Sequence, residues 1–279
     1  MHRFILVLLT SVIGIVGLGT SQLRGEKIYV GRSVPAGSRV SIDRIAHRGW
    51  DALLKRYVDH DGNVNYAAWK RSTDDRRALQ AYLALLSRAD STKPADRAAV
   101  LAYWINAYNA VTIEGILRLY PTTSIRNHTA KFFGYNIWKE LLLRVGGRTY
   151  SLERIEHEVL RKMGEPRIHF ALVCASRSCP PLRAEAYTSE LLAGQLAANA
   201  KTFFANRGNF RYDSGSGTFR LSSIMKWYAT DFGTDTAGQL RAIAPYLPGG
   251  SAATAARRGQ GRIAYLDYDW DLNDQATAR

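Results

Sequence analysis

Leu101-Ala-Tyr-Trp-Ile-Asn-Ala-Tyr-Asn-Ala-Val-Thr-Ile113 is apolar on almost every face of a helix. A helix of that kind is buried on most of its sides, so it must be wrapped by other elements. The helical pattern extends from Asp96, with Pro94 near its first turn, to Tyr120, and Pro121 stops it. A buried central helix over 96–120 therefore sets the expected architecture. Two amides, Asn106 and Asn109, stand three apart on one side of it. Buried amides need hydrogen-bond partners, at about 1–3 kcal/mol each if unmet. They either tie down the backbone of a neighbouring loop or orient a catalytic side chain or a substrate.

Around this helix the chain alternates helical and strand signals. Ile42 to Val58 and Asp74 to Ala89 carry helical apolar spacing. Asp59-His-Asp-Gly-Asn63 starts like a calcium loop, but its Gly comes two positions early, and a tight Asp-Gly turn is expected. Lys139 to Tyr150 reads as a hairpin around Gly146-Gly147. Ser151 caps a helix over Leu152 to Met163 that carries Glu156 and His157. After Thr188 a helix of about eighteen residues is expected, followed by a hairpin pairing Asn209–Tyr212 with Thr218–Leu221. Ser222 opens another helix that Gly233 ends, and Leu240 to Leu247 forms a short one. Residues 249–261 read as loop, and Ile263 to Leu272 as a closing strand with Asp267, Asp269 and Asp271 on one face. The sum is a single compact α+β domain over 42–279, several helices packed on a small, mostly antiparallel sheet.

The densest chemistry lies in Arg167-Ile-His-Phe-Ala-Leu-Val-Cys-Ala-Ser-Arg-Ser-Cys-Pro-Pro-Leu182, which holds both cysteines of the protein. Ile168 to Cys174 is short, apolar and bounded by Pro166, as a strand buried on both faces would be. Alternation along such a strand separates His169 from Cys174. A nucleophilic thiol needs a base, and the base needs an orienting group. The candidates are Cys174 or Cys179, His157 or His169, and Asn106, Asn109 or Glu156. In that scheme Cys174 attacks an amide or ester carbonyl and His157 takes the thiol proton. The same two cysteines are also spaced to form a small-loop disulfide in a non-catalytic binding or scaffold module. A zinc site built from His157, His169, Cys174 and Cys179 fits no finger spacing. No metal or cofactor is expected.

The chain has 279 residues with 46% hydrophobic and 22% charged content, the profile of an ordinary globular protein. Its net charge of +14 admits an anionic envelope polymer or membrane surface as partner. The charges are scattered singly, without a basic run interleaved by aromatics, so no specific nucleic acid is expected. At the N-terminus, His2 and Arg3 precede an uncharged run from Phe4 that ends at Arg24. Residues 1–24 are therefore expected to be a signal peptide or membrane anchor, followed by a linker over 25–41. A periplasmic, secreted or membrane-anchored protein is the expectation.

Several of these segments together resemble the domain of unknown function 547 (DUF547) family. They are Ala102-Tyr-Trp-Ile-Asn-Ala-Tyr-Asn-Ala110, Val145-Gly-Gly-Arg148, Ser151-Leu-Glu-Arg-Ile-Glu-His157, the Arg167–Leu182 stretch and Tyr265-Leu-Asp-Tyr-Asp-Trp-Asp-Leu-Asn273. They span about residues 50–273. The resemblance implies a compact α+β domain distantly related to papain-like thiol enzymes, and brings no established reaction with it.

Overall fold

A computed structural model describes residues 26–130 and 135–277. The segment 1–24 expected to direct export lies outside the described residues. Among the described residues no helix is long and apolar enough to cross a membrane.

The elements begin with β1 (Ile28–Val30), then α1 (Arg48–Tyr57), α2 (Tyr66–Arg71), α3 (Thr73–Leu86) and α4 (Arg97–Leu119). Next come the hairpin β2 (Leu141–Val145) and β3 (Arg148–Ser151), and helix α5 (Leu192–Ala205). A second hairpin, β4 (Phe210–Asp213) and β5 (Thr218–Leu221), leads into α6 (Ser223–Trp227) and α7 (Ala229–Phe232). The chain finishes with α8 (Thr236–Ile243), α9 (Ser251–Arg258) and β6 (Arg262–Tyr265).

Helix α4 is the buried axis. Asp96 caps it, its carboxylate accepting from the Ala98 and Ala99 amides at 2.9 and 3.2 Å. Every residue from Leu101 to Leu117 is buried. Helices α1 to α3 pack beside it through aromatic rings, with Tyr57 stacked on Trp69 at 4.6 Å between centroids.

The expected sheet is divided into small sheets of mixed direction. Each antiparallel hairpin carries a parallel third strand: β1 beside β2, and β6 beside β5. A short parallel pair, Val40–Ser41 with Ala89–Asp90, ties the segment before α1 to the end of α3. The linker over 25–41 thus takes part in two sheets.

The buried side chains form two clusters. One surrounds α4; the other gathers Phe170, Phe203, Phe204, Phe210, Phe219 and the α6–α9 region. Tyr268 packs against both. The seam between the clusters is where the candidate site lies.

Three expectations are corrected. Ile168 to Cys174 is not a strand: Pro166–Phe170 forms a 3-10 turn, started by Pro166 at its first position and by Glu165, which accepts from the Arg167 amide. Its apolar run satisfies its backbone with side-chain amides instead of a sheet. Asn109 donates to the Ala171 carbonyl and accepts from the Val173 amide, both at 3.0 Å, and Asn199 donates to the Phe170 carbonyl. The alternation that separated His169 from Cys174 therefore does not apply. Residues 249–261 contain α9, an alanine-rich helix between Gly250 and the left-handed Gly259 (φ +68°). The closing strand ends at Tyr265. Beyond it the chain becomes a strap, bonded through Arg177 N–H to the Asp271 carbonyl and Asn273 N–H to the Ala175 carbonyl.

The Asp59–Asn63 stretch is a turn. Asp59 Oδ1 accepts from the amides of Asp61 and Asn63 at 3.0 and 2.8 Å. Gly62 has φ +82° and lies so close to the Pro-Pro exit that a Cβ there would meet Pro181 Cα and Leu182 N at 2.6 Å.

Candidate functional site

A cleft of about 280 Å³ opens on the seam between the two clusters. Its wall includes Tyr108, Trp138, Trp227, Tyr228, Tyr268 and Trp270, with Glu156, His157, His169, Cys174 and Cys179 among the reactive groups. A concave, largely aromatic site with a few converging polar groups is the usual form of a small-molecule site.

The cysteines are joined. Cys174 and Cys179 form a disulfide with their Cα atoms 6.2 Å apart. The loop between them is shaped by Ala175, which adopts the left-handed conformation at φ +58°. Cys179 is buried, whereas Cys174 is partly exposed to the cleft. A hub of donors surrounds the sulfurs. Tyr268 Oη lies 3.2 Å from each sulfur and 3.0 Å from Ser176 Oγ. Ser176 Oγ is 3.1 Å from Cys174 Sγ, and the Cys174 amide donates to Cys179 Sγ at 2.9 Å. Burial pushes the Tyr268 hydroxyl well up, so it stays protonated and able to donate.

The histidines have different roles. His169 is 3% exposed and its Nε2 lies 2.8 Å from Asp231 Oδ2. Asp231 is in turn gripped by Arg161, whose Nε and Nη2 reach its two oxygens at 2.7 Å each. The Arg161 hydrogen bonds, followed by that from His169, hold the Asp231 carboxyl down to about 2. Burial lowers the His169 imidazole, partly offset by Asp231. At neutral pH a neutral His169 therefore donates Nε2–H to Asp231, and Nδ1 carries the lone pair. Tyr228 stacks on the ring at 3.9 Å and 19°, fixing its plane. Among the described residues Nδ1 has no hydrogen-bond partner, and the ring lines the cleft.

His157 is exposed on the rim and its Nδ1 meets Arg161 Nη1 at 3.1 Å. The expected helix over 152–163 widens into a π-turn at Ile155–Leu160, which sends Glu156 inward and His157 outward. Glu156 is buried, with Tyr108 Oη 3.4 Å from its Oε2. Burial and then Glu156 push the Tyr108 and Tyr228 hydroxyls up. Neither sulfur hydrogen-bonds an imidazole among the described residues.

The two central-helix amides serve backbone. Asn106 donates to the Tyr187 carbonyl at 2.8 Å and accepts from its amide at 3.0 Å; Asn109 clamps Ala171 and Val173 in the same way. They shape the loops that carry the site and orient no imidazole. Among the described residues no group of three or more His, Cys, Asp or Glu is placed to hold a metal ion.

Asp231, Arg161, Tyr228, Tyr268 and Ser176 were not singled out by the sequence reading. Asp231 lies 62 residues from His169, so only the fold joins them. A signal for Tyr268 was present: the aromatics at 268 and 270 alternate with exposed acids at 267, 269 and 271, and it is the aromatic side that faces the protein.

Residues 92–204 match the family described as Protein of unknown function, DUF547. That span holds α4, Glu156, His157, His169 and both cysteines, while Asp231 and Tyr268 lie downstream of it. No curated protein and no solved structure matches the chain. The chain thus resembles the DUF547 family, with the match running through the segment that builds most of the cleft.

Proposed function

We propose that the cleft is a thiol-dependent acyl hydrolase or transferase site in an exported protein, held oxidised in this form. The observation that carries it is the Arg161–Asp231–His169 chain, which ends on an imidazole in the same cleft as Cys174. This is the base-and-orienter arrangement that nucleophilic catalysis uses. Once a thiol has reduced the disulfide, Cys174 is the nucleophile and His169, rather than His157, is its base. The thiol proton passes to His169 Nδ1 as sulfur bonds to an amide or ester carbonyl carbon. His169 returns the proton to the leaving amine or alcohol as the C–N or C–O bond breaks. Water or an acceptor amine then cleaves the thioester and regenerates the thiol. The hydroxyls of Ser176 and Tyr268 are the donors beside the reacting sulfur.

The intact disulfide favours a second reading, a non-catalytic binding module for an anionic envelope polymer, stapled by Cys174–Cys179. The reduced full-length chain separates the two. Cys174 is labelled with iodoacetamide across pH, and turnover of p-nitrophenyl esters is followed in parallel. Catalysis predicts a Cys174 thiol ionising below the ordinary ~8.5 and ester turnover that His169→Ala reduces about a hundredfold or more. An ordinary thiol, with no turnover and no effect of His169→Ala, would leave the binding module.

A further inference from the structure

Cys179 is shared by two clefts. Cys174 and Cys179 both line the aromatic cleft, and Cys179 also lines a second, polar cleft of about 500 Å³. Asn63, Arg177, Thr202, Asn206 and Asn209 surround Cys179 there. Thiol–disulfide exchange proceeds by attack of a thiolate on one sulfur along the S–S axis, from the side away from the leaving sulfur. Cys179 lines this second cleft and Cys174 does not, so a thiolate held there has Cys179 as the sulfur in reach. Approach to Cys174 runs instead through the aromatic cleft, where the substrate of the proposed reaction binds.

We infer that the polar cleft beside Cys179 is a binding site for a low-molecular-weight thiol, which opens the disulfide by attacking Cys179 and releases Cys174 into the aromatic cleft. This rests on the reading of Cys174 as the nucleophile. The thiolate sulfur bonds to Cys179 Sγ as the Cys174–Cys179 bond breaks, and the electron pair leaves on Cys174. The hydroxyls of Ser176 and Tyr268, 3.1 and 3.2 Å from Cys174 Sγ, solvate that leaving thiolate. A second equivalent of the thiol displaces Cys179 from the mixed disulfide, so one oxidised thiol dimer forms per reduced protein. The size of the site favours a small thiol over a protein dithiol. Cys179 is only 6% exposed, so a protein's active-site tip must enter the cleft before its sulfur can touch.

The test is exchange of the oxidised full-length protein with glutathione, acid-quenched and mapped by mass spectrometry. The first adduct is expected on Cys179, with free thiol at Cys174. Thr202→Trp places an indole in the polar cleft from an exposed position on α5. It is expected to lower the exchange rate constant about tenfold or more, with iodoacetamide labelling of already reduced Cys174 unchanged. Asn206→Trp, at the end of the same helix, gives an independent block should Thr202→Trp misfold. In Cys174→Ser, the remaining Cys179 thiol is expected to react with oxidised glutathione, and Thr202→Trp to slow that reaction likewise. An adduct on Cys174, wild-type exchange in both tryptophan variants, or faster reduction by a thioredoxin-type dithiol than by glutathione would overturn the inference. Loss of ester turnover with this exchange pattern intact would instead count against the acyl-transfer reading alone.

Discussion

Asp231→Asn removes the charge that links Arg161 to His169 while keeping the shape of the side chain. Its magnitude follows from the carboxyl, which the Arg161 and His169 bonds hold at about 2. Set against an ordinary ~3.9, that depression corresponds to about 2.5 kcal/mol of stability. The side chain is 21% exposed, so solvent screening brings the expected loss to about 2 kcal/mol at pH 7. Because the folded-state value is depressed, this stabilisation is complete above the unfolded carboxyl's ~4 and fades as pH falls through the folded value. Urea unfolding of wild type and variant at pH 7 and at about pH 2 measures it. The gap in unfolding free energy should be about 2 kcal/mol at pH 7 and shrink below ~1 kcal/mol at pH 2, where wild-type Asp231 is itself about half protonated. A gap that is the same at both pH values would refute the argument, because it would make Asp231 a packing residue and not a charge.

The other expectations concern the frame around the site. Asn109→Ala strands the Val173 N–H and the Ala171 carbonyl in the core, and should cost about 3 kcal/mol in denaturant unfolding, with fast hydrogen exchange at the Val173 amide. Gly62→Ala combines a left-handed backbone with a clash against Pro181, and should lose about 2–4 kcal/mol by the same measure, whereas the unobstructed Gly37→Ala should be close to neutral. Reducing the disulfide opens a loop of six residues and should lower stability by about 2 kcal/mol, read as a drop in the urea midpoint with an intact near-ultraviolet spectrum.

Much of the frame was legible because its determinants are local. The all-round apolar run of α4, its Asp96 cap and its Pro121 stop need no tertiary information. Both hairpins declare themselves through glycine turns. The Arg167–Leu182 stretch, which lines the cleft, likewise stood out by composition. Its conformation was not legible, because an apolar run bounded by proline reads the same whether its backbone is satisfied by a neighbouring strand or by Asn109 and Asn199. The outward placement of His157 was hidden for a related reason. His157 lies close to an apolar stripe in an α-helical register, but the π-turn changes that register and turns the ring out to Arg161. The partner of His169, Asp231, sits in a short helix with nothing nearby in sequence to mark it.

The strap that crosses the cysteine loop makes the loop depend on a distant part of the chain. Arg177, Ser178 and Asn273 make their loop-to-strap backbone bonds, and Tyr268 and Asp269 reach Ser176 and Ser178, only after residues 266–274 have come into place. These residues are synthesised about ninety positions after the cysteines they hold. Until they arrive, the loop lacks the partners that fix its shape, and its sulfurs have no hydroxyl from Tyr268. The loop therefore takes its full set of partners, the Tyr268 hydroxyl beside its sulfurs included, only when the far end of the chain has docked.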